Sequence, residues 1–285
     1  MERFPLGGFS VSRIGFGAMQ LPGPNAFGPP RDRDEALAVL RRAVELGVDH
    51  IDTAQFYGPD VANELIREAL HPYPENLALV SKVGGRRDDT GAWLPVAAPS
   101  DLRRDIEANL LALGVDRLAA VNLRLFESEG PDRLFDEQLS VVMQARDEGL
   151  IGGIGLSEIK VAHLRHALER AEIACVQNAF NLVDRSSAPV LHECTARGIA
   201  FVPFFPLGAA FIKPNPVLTN PLVQEIAQRL GRTPAQVALA WTLSVAPNVL
   251  LIPGTSSVRH LEENLDAASV ELDDETRERL NAVSA

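Results

Sequence analysis

Three residues have types and spacing suited to acid–base chemistry on a polar bond. Asp52 closes the apolar run 48–52, Lys82 closes the run 77–82, and Tyr57 follows in Asp52-Thr53-Ala54-Gln55-Phe56-Tyr57-Gly58. A carboxylate ending an apolar strand is costly unless it meets a partner. If the two runs are adjacent strands, Asp52 and Lys82 lie within pairing range. The pair would hold the ammonium charged, and an ammonium beside the Tyr57 phenol would stabilise phenolate and lower its pKa from about 10. Tyr57 then becomes a proton donor to a carbonyl oxygen. Taken alone, the same residues also fit a structural salt bridge with a surface tyrosine nearby, the commoner fate of an isolated Asp/Lys pair.

The elements that must position these groups follow a repeat. Short β-rich runs at 14–17, 48–52, 77–82, 118–124, 151–156, 174–177, 199–204 and 249–252 alternate with helical periodicity at 34–46, 61–70, 100–113, 134–148, 162–171, 188–197, 221–230, 234–244 and 257–268. Capping chemistry opens several helices, Ser100 or Asp101 before Leu102 and Thr233 before Pro234, and Gly47, Gly114, Gly149 and Gly198 close others. Eight βα units without a break predict an α/β fold, a closed (β/α)₈ TIM barrel rather than an open sheet. Segment 4–11, around Gly7-Gly8, carries a hairpin signal and is expected to close the bottom. No low-complexity linker divides the chain, so residues 1–285 read as one domain. In such a barrel the chemistry sits at the C-terminal strand ends, where Asp52 and Lys82 fall.

Composition excludes several functions. The 285 residues are 46% hydrophobic and 23% charged, with 27 basic against 38 acidic side chains and a net charge of −11. That argues against nucleic acid or an anionic membrane as partner, while a local site for one phosphate stays compatible. Two cysteines, Cys175 and Cys194, and no leader pattern point to the cytoplasm. The longest apolar run, near 201–211, is broken by Pro203, Pro206 and Gly208 and falls short of the ~20 residues of a membrane helix. His163 and His166 share a helix without completing a tetrahedral set, so they read as solvated surface and no metal is expected. Cys175 reads as a small core residue. Gly15-Phe16-Gly17 and Gly153-Ile154-Gly155 lack the third glycine of a dinucleotide fingerprint, and no nucleophile elbow or Walker loop occurs.

From Ile14 to Asn264 the sequence resembles the aldo-keto reductases. The resemblance rests on Gly15-Phe16-Gly17, Asp52-Thr53-Ala54 with Tyr57-Gly58, Ser81-Lys82, Gly155-Leu156-Ser157, Gln177, Phe205-Pro206-Leu207-Gly208, and Ile252-Pro253-Gly254 with Glu263-Asn264, all in family order. Within the family it is most similar to the bacterial pyridoxal reductases, judging by Ala18-Met19-Gln20-Leu21, the stretch Phe27 to Arg33, Asn122-Leu123-Arg124 and Ile252 to Ser257. The resemblance implies a barrel that binds NADPH without a Rossmann fingerprint and reduces a small carbonyl substrate. Tyr57 then matches the general acid, Lys82 the cation that lowers its pKa, and Asp52 the carboxylate that positions the lysine. Where the family normally has histidine, this chain has Arg124. Arginine cannot relay a proton near neutrality, but it offers fixed donors and charge to a developing alkoxide. A structural pair with Glu127 or Glu129 is the other reading.

The resemblance also implies the cofactor contacts. Ser157 and Gln177 match positions that bond the nicotinamide carboxamide, and Phe204 the aromatic that stacks on its ring. Pro206, Leu207 and Gly208 follow as further contacts, and Phe205 reads equally as core packing. Glu158 stands where the family usually has asparagine. Gly254, Thr255 and Ser256 lead into a helix whose first N–H groups suit a phosphate. Arg259 and His260 in its first turn oppose the helix dipole unless an anion is bound, and an adenosine 2′-phosphate is the natural candidate. Glu263 and Asn264 match residues that grip adenine. Gly254 replaces the family's common lysine, which removes one phosphate contact. Met19, Gln20, Phe27, Phe56, Trp93 and Phe126 fall at the mouth and suit a planar aldehyde such as pyridoxal, Trp93 foremost because a long polar loop gives it little core to fill. The rival expectations are a biosynthetic reductase of another ketone or imine, and an NADPH-binding sensor or regulatory subunit with little turnover, against which the intact Asp52, Tyr57 and Lys82 argue.

Overall fold

The alternating runs become a ring of parallel strands in the computed structural model, which describes residues 3–126, 128–208 and 212–283. In chain order the elements are β1 (Arg3–Leu6), β2 (Phe9–Ser12), β3 (Phe16–Gly17), α1 (Arg33–Glu45), β4 (His50–Asp52), α2 (Val61–Leu70) and β5 (Ala78–Val83). Next come β6 (Gly85–Arg87), β7 (Trp93–Pro95), α3 (Pro99–Leu113), β8 (Ala120–Arg124), α4 (Arg133–Asp147), β9 (Ile154–Ser157), α5 (Val161–Leu168) and β10 (Cys175–Gln177). The chain ends with α6 (Ala188–Arg197), β11 (Ala200–Phe201), α7 (Pro221–Leu230), α8 (Pro234–Val245), α9 (Val258–Asp266) and α10 (Asp274–Asn281).

The large sheet runs in the order β11-β10-β9-β8-β5-β4-β3. The expected eighth strand at 249–252 forms single parallel bridges instead, Val249 with Phe201 and Leu251 with Ile14. Leu250 N donates to Phe201 O at 2.9 Å and Gly15 N to Leu251 O at 2.8 Å, so this segment closes the ring between β11 and β3. Pro253, which has no N–H, ends it. The expected hairpin is present: β1 and β2 pair antiparallel. Its Leu6 and Val11 pack with Ala78, Val80, Ala119 and Ala120, and a Cβ on Gly7 would lie 1.9 Å from Ala119 O. Asp49, at the base of β4, accepts Ser12 N at 2.9 Å, fixing the hairpin against the N-terminal ends of the strands.

Strand parity sorts the side chains into two layers. Ile51, Leu79, Val83, Val121, Leu123, Ile154, Leu156 and Val176 face the helices and join the large cluster that binds helices to sheet. The alternate residues face inward. Small apolar groups such as Ala78, Val80, Ala120 and Cys175 fill the lower ring, and Asp52, Lys82, Arg124, Ser157 and Gln177 close the inward-facing rows of their strands nearer the C-terminal ends. Fully burying a Val or Leu contributes about 1.5–3 kcal/mol, so registers that keep the apolar parity outward are strongly favoured. That constraint sends the polar set into the ring.

Several local expectations change. Helix α3 begins at Pro99 with Ala98 at the N-cap, so Ser100 and Asp101 lie inside its first turn and do not cap; proline fits N1 because that N–H has no intrahelical partner. Thr233 does cap α8, its hydroxyl accepting Gln236 N at 3.2 Å while Gln236 returns a bond to Thr233 N. Trp93 lies on a strand: β6 and β7 form a hairpin whose turn is held by Asp88, which accepts from Thr90 N and Ala92 N, both at 2.9 Å. His163 is fully buried, contrary to the surface reading. Its Nδ1 accepts Lys160 N at 3.2 Å and its Nε2 meets Ser128 Oγ at 2.8 Å. Cys175 is buried as expected, although it opens β10, and burial pushes its thiol up to about 12. Among the described residues no helix is long and apolar enough to cross a membrane.

Candidate active site

Asp52, Lys82 and Tyr57 converge at the C-terminal end of the ring. Strands β4 and β5 pair in parallel with Asp52 opposite Val80, which places Lys82 two residues further along on the same inward parity. The Lys82 ammonium forms an ion pair with Asp52 Oδ1 and donates to Thr53 O at 3.0 Å. Asp52 Oδ2 accepts Gln177 Nε2 at 2.8 Å, so both carboxylate oxygens are engaged. Tyr57 follows β4 in the turn before α2, and its ring centroid is 5.0 Å from Lys82 Nζ. All three residues are buried.

The electrostatics differ in one respect from the expectation. Burial raises the Tyr57 phenol above its ordinary value, and Lys82 and Arg124, which pull it down, do not overcome that. Tyr57 therefore holds its proton at neutral pH. Lys82 is raised as well, for a different reason: burial would lower its ammonium, but Asp52 and Tyr57 hold it above the ordinary lysine value. The result is a protonated phenol beside a permanent cation.

These groups stand at the inner end of a cleft of about 760 Å³, within the ~300–1,000 Å³ of small-molecule and cofactor sites. Arg124, Gln177, Phe204, Pro206, Leu207 and Gly208 line it, as do Gly254, Thr255, Ser256, His260, Glu263 and Asn264 towards α9. Met19, Gln20, Phe56, Trp93 and Phe126 complete the expected walls. Phe56 is edge-on to Tyr57 at 5.4 Å and to Trp93 at 5.5 Å. Trp93 is in turn covered by Arg87, whose guanidinium carbon lies 3.9 Å from its ring centroid.

Three expected residues do not reach the wall. Phe27 sits behind it, its ring 5.5 Å from the Arg87 guanidinium. Ser157 is fully buried, its hydroxyl accepting Arg124 Nη1 at 3.4 Å. Arg259 is exposed, paired with Glu263 at 3.2 Å and donating to His260 Nε2 at 2.9 Å. The open end of α9 is also partly engaged, because Val258 N donates to the Glu35 carboxylate at 3.0 Å. Glu158 adopts a left-handed conformation and points to solvent. Arg124 does not pair with Glu129, which is held by Lys160, and Glu127 lies outside the described residues.

Phe205, read as possible core packing, is a wall of the cleft, in a left-handed conformation and edge-on to Phe204 at 5.0 Å. The segment around Asn215 carried no signal in the sequence. Asn215 Nδ2 donates to Leu207 O at 2.8 Å and its Oδ1 accepts Val217 N at 3.0 Å, tying two loops together along one flank of the cleft. A proline on each side of Asn215 hides any periodicity there.

Two features fit an extended ligand with a carboxamide at one end. Among the described residues Gln177 Oε1 is buried without a hydrogen-bond partner, an acceptor positioned beside the ion pair. Buried polar atoms of this kind are rare unless a ligand or water completes them. At the other end Asn264 is 5% exposed and lines the cleft.

Comparison with known proteins agrees with this geometry. The aldo/keto reductase family profile matches residues 13–285. Pyridoxine 4-dehydrogenase of Escherichia coli (strain K12) is 46% identical over 284 residues, covering 99% of this chain and 98% of the relative. An uncharacterised oxidoreductase of Schizosaccharomyces pombe is 38% identical over 277 residues, 97% of this chain and 88% of the relative. Among solved structures, a thermostable aldo-keto reductase in complex with epalrestat superposes with a TM-score of 0.83 at 30% identity, covering 99% of each chain. An aldo/keto reductase of Klebsiella pneumoniae in complex with NADP and acetate shares the fold, with a TM-score of 0.81 at 24% identity over 98% of this chain and 94% of that one. The chain belongs to the aldo/keto reductase family.

Proposed function

We propose that the cleft reduces an aldehyde with NADPH, with pyridoxal to pyridoxine as the favoured reaction. The observation that carries this reading is the protonated Tyr57 phenol beside the Lys82–Asp52 pair at the inner end of an aromatic-walled cleft. The Klebsiella pneumoniae relative crystallised with NADP supports the cofactor, and the pyridoxine 4-dehydrogenase of E. coli supports the substrate. When bound, the reduced nicotinamide supplies a hydride to the carbonyl carbon.

Tyr57 transfers its proton to the carbonyl oxygen, so the aldehyde gains one hydride and one proton and leaves as the alcohol. The Lys82 cation and the Arg124 guanidinium stabilise the phenolate left behind, and the phenol recovers its proton from water through the mouth. Asp52 holds the ammonium in place. Gln177 Oε1 would accept an N–H of the carboxamide, and Ser157 would support that end through Arg124. Phe204 would support the nicotinamide ring, and Pro206, Leu207 and Gly208 would hold the chain of the cofactor. Thr255, Ser256 and His260 would receive the 2′-phosphate beside Gly254, joined by Arg259 on leaving Glu263, and Glu263 and Asn264 would hold the adenine. Met19, Phe56, Trp93 and Phe126 enclose the substrate, with Phe27 supporting Arg87 behind them.

The experiment is Tyr57→Phe, assayed with pyridoxal and NADPH. Turnover falls by at least about 10²-fold, the usual contribution of a positioned acid, while NADPH still binds in a fluorescence titration. Reduction at the wild-type rate would remove Tyr57 from the mechanism and overturn the reading.

A further inference from the structure

Charge along the inner cleft does not balance. Asp52 and Lys82 neutralise each other, which leaves the Arg124 guanidinium as the net charge beside Tyr57. Strand β8 pairs Asn122 with Lys82, so the Arg124 backbone stands two residues, roughly 6.5–7 Å along a strand, nearer the mouth than the backbone of Lys82. Its guanidinium carbon is 5.2 Å from the Phe126 ring centroid and 5.4 Å from that of Phe204. It lies over both rings and lines the cleft. The single bond from Nη1 to Ser157 Oγ, at 3.4 Å, uses one of five donors, and among the described residues no carboxylate pairs with it. A half-buried guanidinium without a counter-ion is costly, and the cost is removed when a bound ligand brings an anionic oxygen.

The position of that anion follows from the reaction geometry, and the argument rests on the aldehyde-reductase reading above. The carbonyl oxygen must meet the Tyr57 hydroxyl. An anionic oxygen reaching Arg124 from the same molecule must then lie beside the carbonyl, on the mouth side. The aromatic walls Phe56, Trp93 and Phe126 favour a flat ring as its carrier. We propose that Arg124 determines substrate specificity by binding an anionic oxygen ortho to the reacting carbonyl, so that preferred substrates are aromatic aldehydes carrying an ortho-oxide. A 3-hydroxypyridine aldehyde, whose hydroxyl is acidified by the ring nitrogen and the formyl group, belongs to this class. The two substrate oxygens are then divided between Tyr57 and Arg124, and the planar fork of arginine suits that role where a proton-relaying histidine does not.

The test compares 2-hydroxybenzaldehyde, 4-hydroxybenzaldehyde and 2-methoxybenzaldehyde, above the pKa of the phenols, in the wild type, Arg124→Leu and Arg124→Lys. The wild type prefers the ortho-oxide over the other two by at least about tenfold in kcat/KM, the scale of one charge-assisted hydrogen bond. Arg124→Leu brings the three within about twofold, and Arg124→Lys keeps part of the preference. Should Arg124→Leu be inactive on all three, calorimetric binding of benzoate and benzamide to the NADPH-bound protein decides. A benzoate preference present in the wild type and lost in the variant supports the assignment, and an equal preference in both overturns it. Equal kcat/KM values for the three aldehydes in the wild type also overturn it while leaving the reductase reading intact. Absence of Tyr57-dependent reduction of any aldehyde removes both.

Discussion

Gln177 and Asp52 meet across the ring, from strands β10 and β4. The glutamine Nε2 donates to Asp52 Oδ2 at 2.8 Å while its Oε1 stays buried without a partner among the described residues. One amide thus fixes the carboxylate that anchors Lys82 and offers an acceptor to whatever fills the cleft. Under the proposed function, this couples the cofactor subsite to the acid–base group through a single side chain.

Replacing Gln177 with Met, similar in size but without the amide, therefore affects two readouts. NADPH affinity falls by about five- to tenfold, the worth of one hydrogen bond, in a calorimetric or fluorescence titration. Turnover falls as well, because Asp52 and Lys82 lose a positioning contact. Unchanged cofactor affinity would show that Oε1 meets nothing in the complex.

Much of this site was legible in the sequence because strand ends in a parallel barrel are positionally defined. Asp52, Lys82, Arg124 and Gln177 each terminate an apolar run, and strand parity places them together. Less local features were hidden. The hairpin of β6 and β7 reads in sequence as a polar loop, although Asp88 and Gly91 supply the turn chemistry: Asp88 caps two backbone N–H groups and Gly91 has a φ of +83°. Helix α10 was missed because Thr276 and Leu280 are its buried residues, too few to set a period. The buried state of His163 depends on Ser128, 35 residues away in the chain, and no window of sequence contains that contact.

The glycine that replaces the family's lysine after Ile-Pro has a structural cause. A Cβ on Gly254 would lie 2.5 Å from Gly17 O, and one on Gly17 would lie 2.4 Å from Ile252 O. The two backbones touch where the eighth segment closes the ring against β3. Gly254→Lys consequently fails to add a phosphate contact. It destabilises the protein by about 1–3 kcal/mol, the usual cost of forcing atoms into packed space, and leaves the ratio of NADPH to NADH affinities no higher. Thermal melts and paired titrations check both; a wild-type Tm with a raised ratio would contradict the packing argument.

His163 makes acid stability depend on one ring. The Lys160 backbone N–H donates to Nδ1, so that nitrogen carries no proton. Nε2–H therefore donates to Ser128 Oγ, and the Ser128 hydroxyl passes its own proton to Gly130 O at 3.0 Å. This direction of donation also excludes His163 as a base for Ser128. Burial, the largest effect, lowers the His163 pKa below its ordinary 6.5. Its contribution to stability is fully present above about pH 6.5, the unfolded value, and is lost as pH falls through the lower folded value. Protonation of Nδ1 would set two donors against each other, Lys160 N–H and the imidazolium, and loosen the loop that carries Phe126 and Ser128. His163→Asn keeps an acceptor for Lys160 N and cannot titrate in this range. Between pH 7.5 and pH 5 the wild type loses more in Tm than this variant. KM for the aldehyde rises with it, since Phe126 is a wall of the cleft. Parallel Tm curves for the two proteins across that interval would assign the acid sensitivity to other groups.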